Sequence, residues 1–211
     1  MRWKTPTGVL VVSFMLQTAA PVPALAGPPT EQLRGSVDRV LRLVGDPANR
    51  AVSTRERRAA VRKIADEIFD WEELSKRSLG THWRERTPGE REEFVRLFAD
   101  LLERSYLAKV EFYDGETIGY AGDTIEGDQA FVRTKIINKH GSEMAVNYKM
   151  LRRAGERWKV YDVEIEGVSL VANYRSQFAS LLRRSTYPEV VRALRVKSGD
   201  SGSEAVMAAP R

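Results

Sequence analysis

Reactive side chains are few in this chain, and their spacing limits the chemistry they could perform. His82 lies in a polar connection between helical segments and His140 in a turn, and neither has a companion at metal-ligand spacing. The run Gly167-Val168-Ser169-Leu170-Val171 resembles a nucleophile elbow, but Val171 stands where the second glycine belongs and no histidine follows to act as base. Asp162, Glu164 and Glu166 alternate along a strand-like run and would share one face. Repulsion within such a row could raise a carboxyl pKa, while a solvated polar face would produce the same pattern. No phosphate-cradling loop, dinucleotide fingerprint or metal motif is present, and with no cysteine there are neither disulfides nor thiolate metal sites. The expectation is a protein that is not an enzyme and needs no cofactor.

Apolar surface, by contrast, is abundant, and the elements that carry it are legible. From Thr30 to about Tyr113 leucine, valine and isoleucine recur at three- and four-residue spacing, first through LRGSVDRVLRLV and then through RRAAVRKIADEIF, with a Gly-Asp-Pro turn at 45–47 between them. A short helix WEELSKRSLG ends at Gly80. The next begins with Thr87 as N-cap, Pro88 in the first turn and Glu90 three residues after the cap. It carries Phe94, Leu97, Phe98, Leu101, Leu102 and Tyr106 on one face.

From Thr117 the period changes to two. Four strands, TIGYAGDTI, QAFVRTKIIN, EMAVNYKMLRR and RWKVYDVEIE, are separated by short turns and predict an antiparallel meander. In the third, Met144, Val146, Tyr148 and Met150 share the face expected to point inward. In the fourth, Trp158 and Val160 have one parity and Tyr161, Val163 and Ile165 the other, which requires either a bulge or a strand apolar on both faces. After Gly167, residues Val168, Val171, Tyr174, Phe178, Leu181 and Leu182 follow helical spacing, and a shorter helix YPEVVRALR closes the domain. The fold class expected is α+β, a twisted antiparallel sheet of about four strands wrapped by several helices.

The N-terminus begins with the basic MRWK, continues with the apolar GVLVVSFML and reaches Ala24-Leu25-Ala26, the pattern of a cleavable export signal over residues 1–26. The apolar run is far short of the ~20 residues of a membrane span. The expected domain covers 27–195, and 196–211 reads as a disordered tail. The formal charge of +5 falls to +3 once Arg2 and Lys4 leave with the signal, a mixed surface without the segregated basic stripe of a nucleic-acid binder.

Two stretches together carry a family resemblance: TPGEREEFVRLFADLLERSYLAKVEFYDGE and YDVEIEGVSLVANYRSQF. Behind an export signal and at this length, they resemble the MlaC family, also called the toluene-tolerance or ABC-transporter auxiliary-component family, over roughly residues 30–195. The matching positions include Tyr161, Asp162, Gly167, Ser169, Asn173, Tyr174, Arg175 and Phe178. The resemblance implies a periplasmic carrier that holds phospholipid acyl chains between sheet and helices. Its implied partners are phospholipid, an inner-membrane MCE-domain ABC transporter and an outer-membrane lipoprotein complex, with a monomer expected.

The residues expected to line such a lipid cavity are Phe98, Leu101, Tyr106, Met144, Val146, Tyr148, Met150, Val163, Ile165, Val168, Val171 and Tyr174. Methionines adapt to chains of varied shape, and Tyr106, Tyr148 and Tyr174 are expected to place hydroxyls at a wet mouth. A charge at Val146 or Val163 is expected to lower lipid occupancy without unfolding the chain. Arg175 reads either as a head-group contact or as a surface salt bridge. A cone-like enzyme and a dry interaction module with a filled core remain open on the residues alone.

Overall fold

The computed structural model describes residues 27–46, 53–106 and 113–199. The expected export signal, the turn residue Pro47 and the last part of the tail, 200–211, lie outside the described residues.

The helices start where the sequence supplies caps. α1 (Pro28–Gly45) has no cap from its own flank. Instead Asp123, in the sheet, accepts hydrogen bonds from the backbone N–H of Gly27 (3.1 Å) and Thr30 (3.0 Å) and from the Thr30 hydroxyl (2.6 Å). This distant carboxylate satisfies the free donors of the first turn and fastens α1 to the sheet. α2 (Thr54–Ile68) opens with a capping box of Ser53 and Glu56. α3 (Trp71–Leu79) is capped by Asp70 and stops at Gly80, whose φ of 61° suits a residue without a side chain. A 3-10 turn over Gly80–Trp83 then leads to α4 (Pro88–Tyr106). The expected box is present: Glu90 accepts from the Thr87 N–H at 2.8 Å and Thr87 Oγ1 accepts from the Glu90 N–H at 3.3 Å.

The sheet has five antiparallel strands in sequence order: β1 (Thr117–Glu126), β2 (Gln129–Ile137), β3 (Glu143–Leu151), β4 (Lys159–Ile165) and β5 (Val168–Ser169). The meander is as expected, with one strand more than the period revealed. Val168 belongs not to a helix but to β5, paired with Ile165. Glu166 and Gly167 both have positive φ, 48° and 78°, the pattern of a two-residue hairpin whose twist matches the strands. Glu166 tolerates this because its N–H donates to the Ala145 carbonyl at 2.9 Å and its carboxylate accepts from the Ala145 N–H. α5 (Leu170–Leu182) follows with Ser169 as N-cap, and α6 (Tyr187–Gly199) runs past the expected domain boundary at 195.

Both readings of the fourth strand hold. The β3–β4 register passes from Lys149↔Asp162 to Met150↔Val160, leaving Tyr161 as a bulge, and Val160 through Val163 are all buried. Helix α1 packs against β1 and β2, while β4 packs against α2, α3 and α5. Its inner face joins Leu33, Ile68, Ala130, Val132, Val146, Met150, Trp158 and Leu170 in a sheet core. A second, helical core gathers α3 to α6 around Phe94, Phe98, Tyr174 and Phe178, whose rings meet at 4.9–6.1 Å, mostly edge to face.

Candidate functional site

The residues with apparent chemistry become structural supports in the fold. Asp162, only 4% exposed, accepts from the Ser169 hydroxyl at 2.6 Å and from the Val171 N–H at 3.0 Å. The elbow serine is thereby a cap, and the carboxylate pins the strand-to-helix switch from beneath. The carboxylate row is neutralised by Lys149, which reaches Asp162 at 3.3 Å and Glu164 at 3.4 Å. Burial opposes the Lys149 charge, but the two carboxylates together hold its pKa above the ordinary lysine value. Glu166 sits in the hairpin rather than in the row. Arg175 forms no ion pair among the described residues; its Nε–H donates to the Arg77 carbonyl at 3.0 Å, near the C-terminus of α3.

The candidate site is the inner face of the sheet, where burial is graded. Its floor is closed by Val132, Met150 and Val160, each with no exposure. Toward the Ile137, Met144 and Ile165 end Ile136 and Ile165 are only partly buried, as is Tyr148, which pairs with the sealed Val132, while Thr134 and Val146 between them are buried. Val37 of α1, Ile64 of α2 and Tyr106 at the end of α4 pack against the same core, also partly buried. The C-terminal half of α1 repeats the theme, since Val37, Val40, Leu41 and Val44 are all only half-buried. Tyr148 is partly accessible, yet burial pushes its hydroxyl up to about 12. The arrangement can receive apolar chains along a packed floor.

The twelve residues singled out from sequence separate into four places. Tyr106, Tyr148 and Ile165 stand along the half-open cleft. Val146, Met150 and Val163 form its floor, and Met144 and Val168, 39% and 42% exposed, stand at the rim. Phe98, Leu101, Val171 and Tyr174 belong to the closed helical core. Tyr174 in particular is 1% exposed, and its hydroxyl faces Tyr106 and Ser105 rather than a wet mouth. Tyr106 and Phe69 pack against both cores and form the wall between them.

Residues missed in the sequence include Tyr120, Ile136, Val37 and Ile64. The stripe along α1 was a visible signal, but only the Asp123 cap shows which strands it covers. Elsewhere, an open groove of about 760 Å³ runs along α2, α3 and α4 past Arg62, Trp71, Trp83 and Val95. Arg62 there is tied to Asp66 (2.8 Å), Asp100 (3.1 Å) and Glu103. That groove lies apart from the sheet face.

Fold and site thus define an α+β protein in which a five-stranded antiparallel sheet, packed by helices, keeps a partly exposed apolar face. The MlaC protein family model matches residues 34–196, and the chain belongs to that family. It is 26% identical over 110 residues to the intermembrane phospholipid transport system binding protein MlaC of Haemophilus influenzae, which is 50% of this chain and about half, 51%, of that relative. It is 26% identical over 190 residues to the toluene tolerance protein ttg2D of Pseudomonas putida, covering 84% of this chain and 81% of the relative. The phospholipid-binding protein from Ralstonia solanacearum, solved in complex with a phospholipid, shares the fold with a TM-score of 0.70 at 24% identity, over 82% of this chain and 98% of the other.

Proposed function

We propose that this chain is a periplasmic phospholipid carrier. In this reading it is exported by residues 1–26 and acts as a monomer without cofactor or catalysis. It passes lipid between an outer-membrane lipoprotein complex and an inner-membrane MCE-domain ABC transporter, maintaining outer-membrane lipid asymmetry. The observation that carries the reading is the incompletely buried apolar face of the sheet, where Ile136, Tyr148 and Ile165 stay partly exposed beside the fully buried Val132, Met150 and Val160. The family membership and the names of the relatives support the choice of ligand.

The energetics suit a carrier. Two acyl chains hold about thirty methylenes, so exposing them to water would cost roughly 24 kcal/mol at ~0.8 kcal/mol each. Moving them from a bilayer to an apolar cleft exchanges one such environment for another and can be nearly neutral. Net direction then comes from the partners. No helix among the described residues is long and apolar enough to cross a membrane.

Native mass spectrometry of residues 27–211, purified from the periplasm without detergent, tests the reading. The expected result is a mass increment of about one phospholipid per chain, with mixed acyl lengths, released on denaturation. Protein that is bare as purified and also takes no lipid from vesicles overturns the carrier in favour of a dry interaction module.

A further inference from the structure

The α1–β1 wall of the cleft holds polar groups that the fold leaves unused. Tyr120 lies on the inner face of β1, opposite Thr134, and its hydroxyl is buried with no hydrogen-bond partner. The Arg34 guanidinium lies over its ring, 4.6 Å from the centroid. Among the described residues Arg34 Nε is likewise buried without an acceptor, and the outer end of the side chain makes only a long, solvent-exposed ion pair with Glu31 at 3.5 Å. One helical turn further along α1, Asp38 is half-buried and has no ion-pair or hydrogen-bond partner among the described residues. It is close enough to Tyr120 that, after burial itself, its charge is the next cause raising the hydroxyl's pKa.

Arginine and aspartate four residues apart on a helix would ordinarily pair with each other. Here they do not, and a buried donor left without an acceptor destabilises the fold unless something occupies it. The set therefore offers two donors and one carboxylate, displaced by one turn, beside an apolar cleft. A lone anion fits it poorly, since Asp38 and Glu31 would both repel it. A ligand with a phosphate and a cation a short distance apart fits every group. In an ethanolamine head group two carbons separate phosphate oxygen from ammonium, a span comparable to the ~5.4 Å helical pitch.

We propose that Arg34, Tyr120 and Asp38 form a head-group seat for a zwitterionic phospholipid. The Tyr120 hydroxyl and Arg34 Nε–H donate to phosphodiester oxygens, Asp38 receives the ammonium, and the acyl chains run past Tyr148 and Ile136 toward Ile165. The seat rests on the carrier reading and adds a preference that the reading alone does not contain.

The test offers the protein vesicles with equal amounts of phosphatidylethanolamine and phosphatidylglycerol of identical acyl chains, and reads bound lipid by native mass spectrometry. The parent is expected to favour phosphatidylethanolamine about fivefold, the scale of a partly exposed charge pair. Asp38→Asn brings that ratio close to one. Tyr120→Phe, which keeps the ring beneath Arg34, lowers total phospholipid occupancy about tenfold, and Arg34→Gln does the same, each losing a hydrogen bond to a charged acceptor. Thermal melting of each lipid-free variant guards against loss of fold. A parent that loads both lipids equally, or variants that match a selective parent in ratio and occupancy, overturns the seat and leaves the carrier standing. A parent that takes neither lipid overturns both.

Discussion

The helical core and the sheet core are built from similar side chains and do opposite things with them. Around Phe94, Phe98, Tyr174 and Phe178, aromatic edges fill one another's faces until exposure falls to 1% or less. On the sheet, the floor of Val132, Met150 and Val160 is equally closed, but Ile136, Tyr148 and Ile165 at the other end are not. The difference is geometric. Helices α3 to α6 close on each other from several directions, whereas the sheet face is packed by α1 and α2 over only part of its length, leaving Ile136, Tyr148 and Ile165 partly exposed. Apolar content alone does not distinguish a core from a cleft; the extent to which neighbouring helices cover it does.

The comparison breaks first at its floor. A charge at Val146 or Val163 was expected from sequence to lower occupancy without loss of fold; their 6% and 7% exposure inside the sheet core predicts instead that the fold is lost. Val163→Asp should cost more than about 4 kcal/mol and leave little or no folded protein by circular dichroism, because a charge there has no partner. Phe98→Ala comes next, at about 3–5 kcal/mol in urea unfolding, for loss of a fully buried ring in the helical core. Lipid uptake by the fraction that stays folded should match the parent; a selective loss of uptake at normal stability would move Phe98 into the cleft.

Alkaline pH sharpens the contrast. Burial raises the Tyr148 hydroxyl from 10.0 to about 12. Below pH ~10 both states are protonated and the group is neutral to stability. As pH rises through that value the unfolded chain ionises first and binds fewer protons than the folded one, so stability falls by up to about 1.4 kcal/mol per pH unit until the folded pKa is passed. Tyr148→Phe should flatten this part of the urea-midpoint profile. Tyr187, pushed up to about 12 in the helical core, should titrate identically with and without lipid, while lipid should delay Tyr148.

Smaller effects follow along the cleft. Ile136→Ala and Ile165→Ala each remove a half-buried side chain and should cost less than about 2 kcal/mol, yet lower lipid occupancy measurably in native mass spectra. Arg175→Ala should cost about 0.5–1 kcal/mol, the worth of one hydrogen bond, with occupancy unchanged. Reduced occupancy in that variant would support its head-group role.

Much of this was readable without coordinates because it is local. The Thr87–Glu90 box, the stop at Gly80, the four alternating strands and the turn at Gly167 depend on residues within a few positions of one another. The short pair of Val168 with Ile165 escaped because two residues have no period. The site was less legible: Tyr106, Tyr148 and Ile165 lie on the cleft, whereas Phe98 and Tyr174, with the same apolar spacing, fill a closed core. Tyr120 was hidden because its strand reads as polar and its partner Arg34 lies on a helix far away in sequence.

By itself, then, the sequence determined the periodicities, caps and turns, since these arise from backbone sterics and hydrogen bonds between near neighbours. The tertiary structure alone decided which apolar faces meet and which stay half-open. That choice depends on how far the helices cover the sheet and on long-range ties such as Asp123 to Thr30 and Asp162 to Val171, whose partners no local pattern announces.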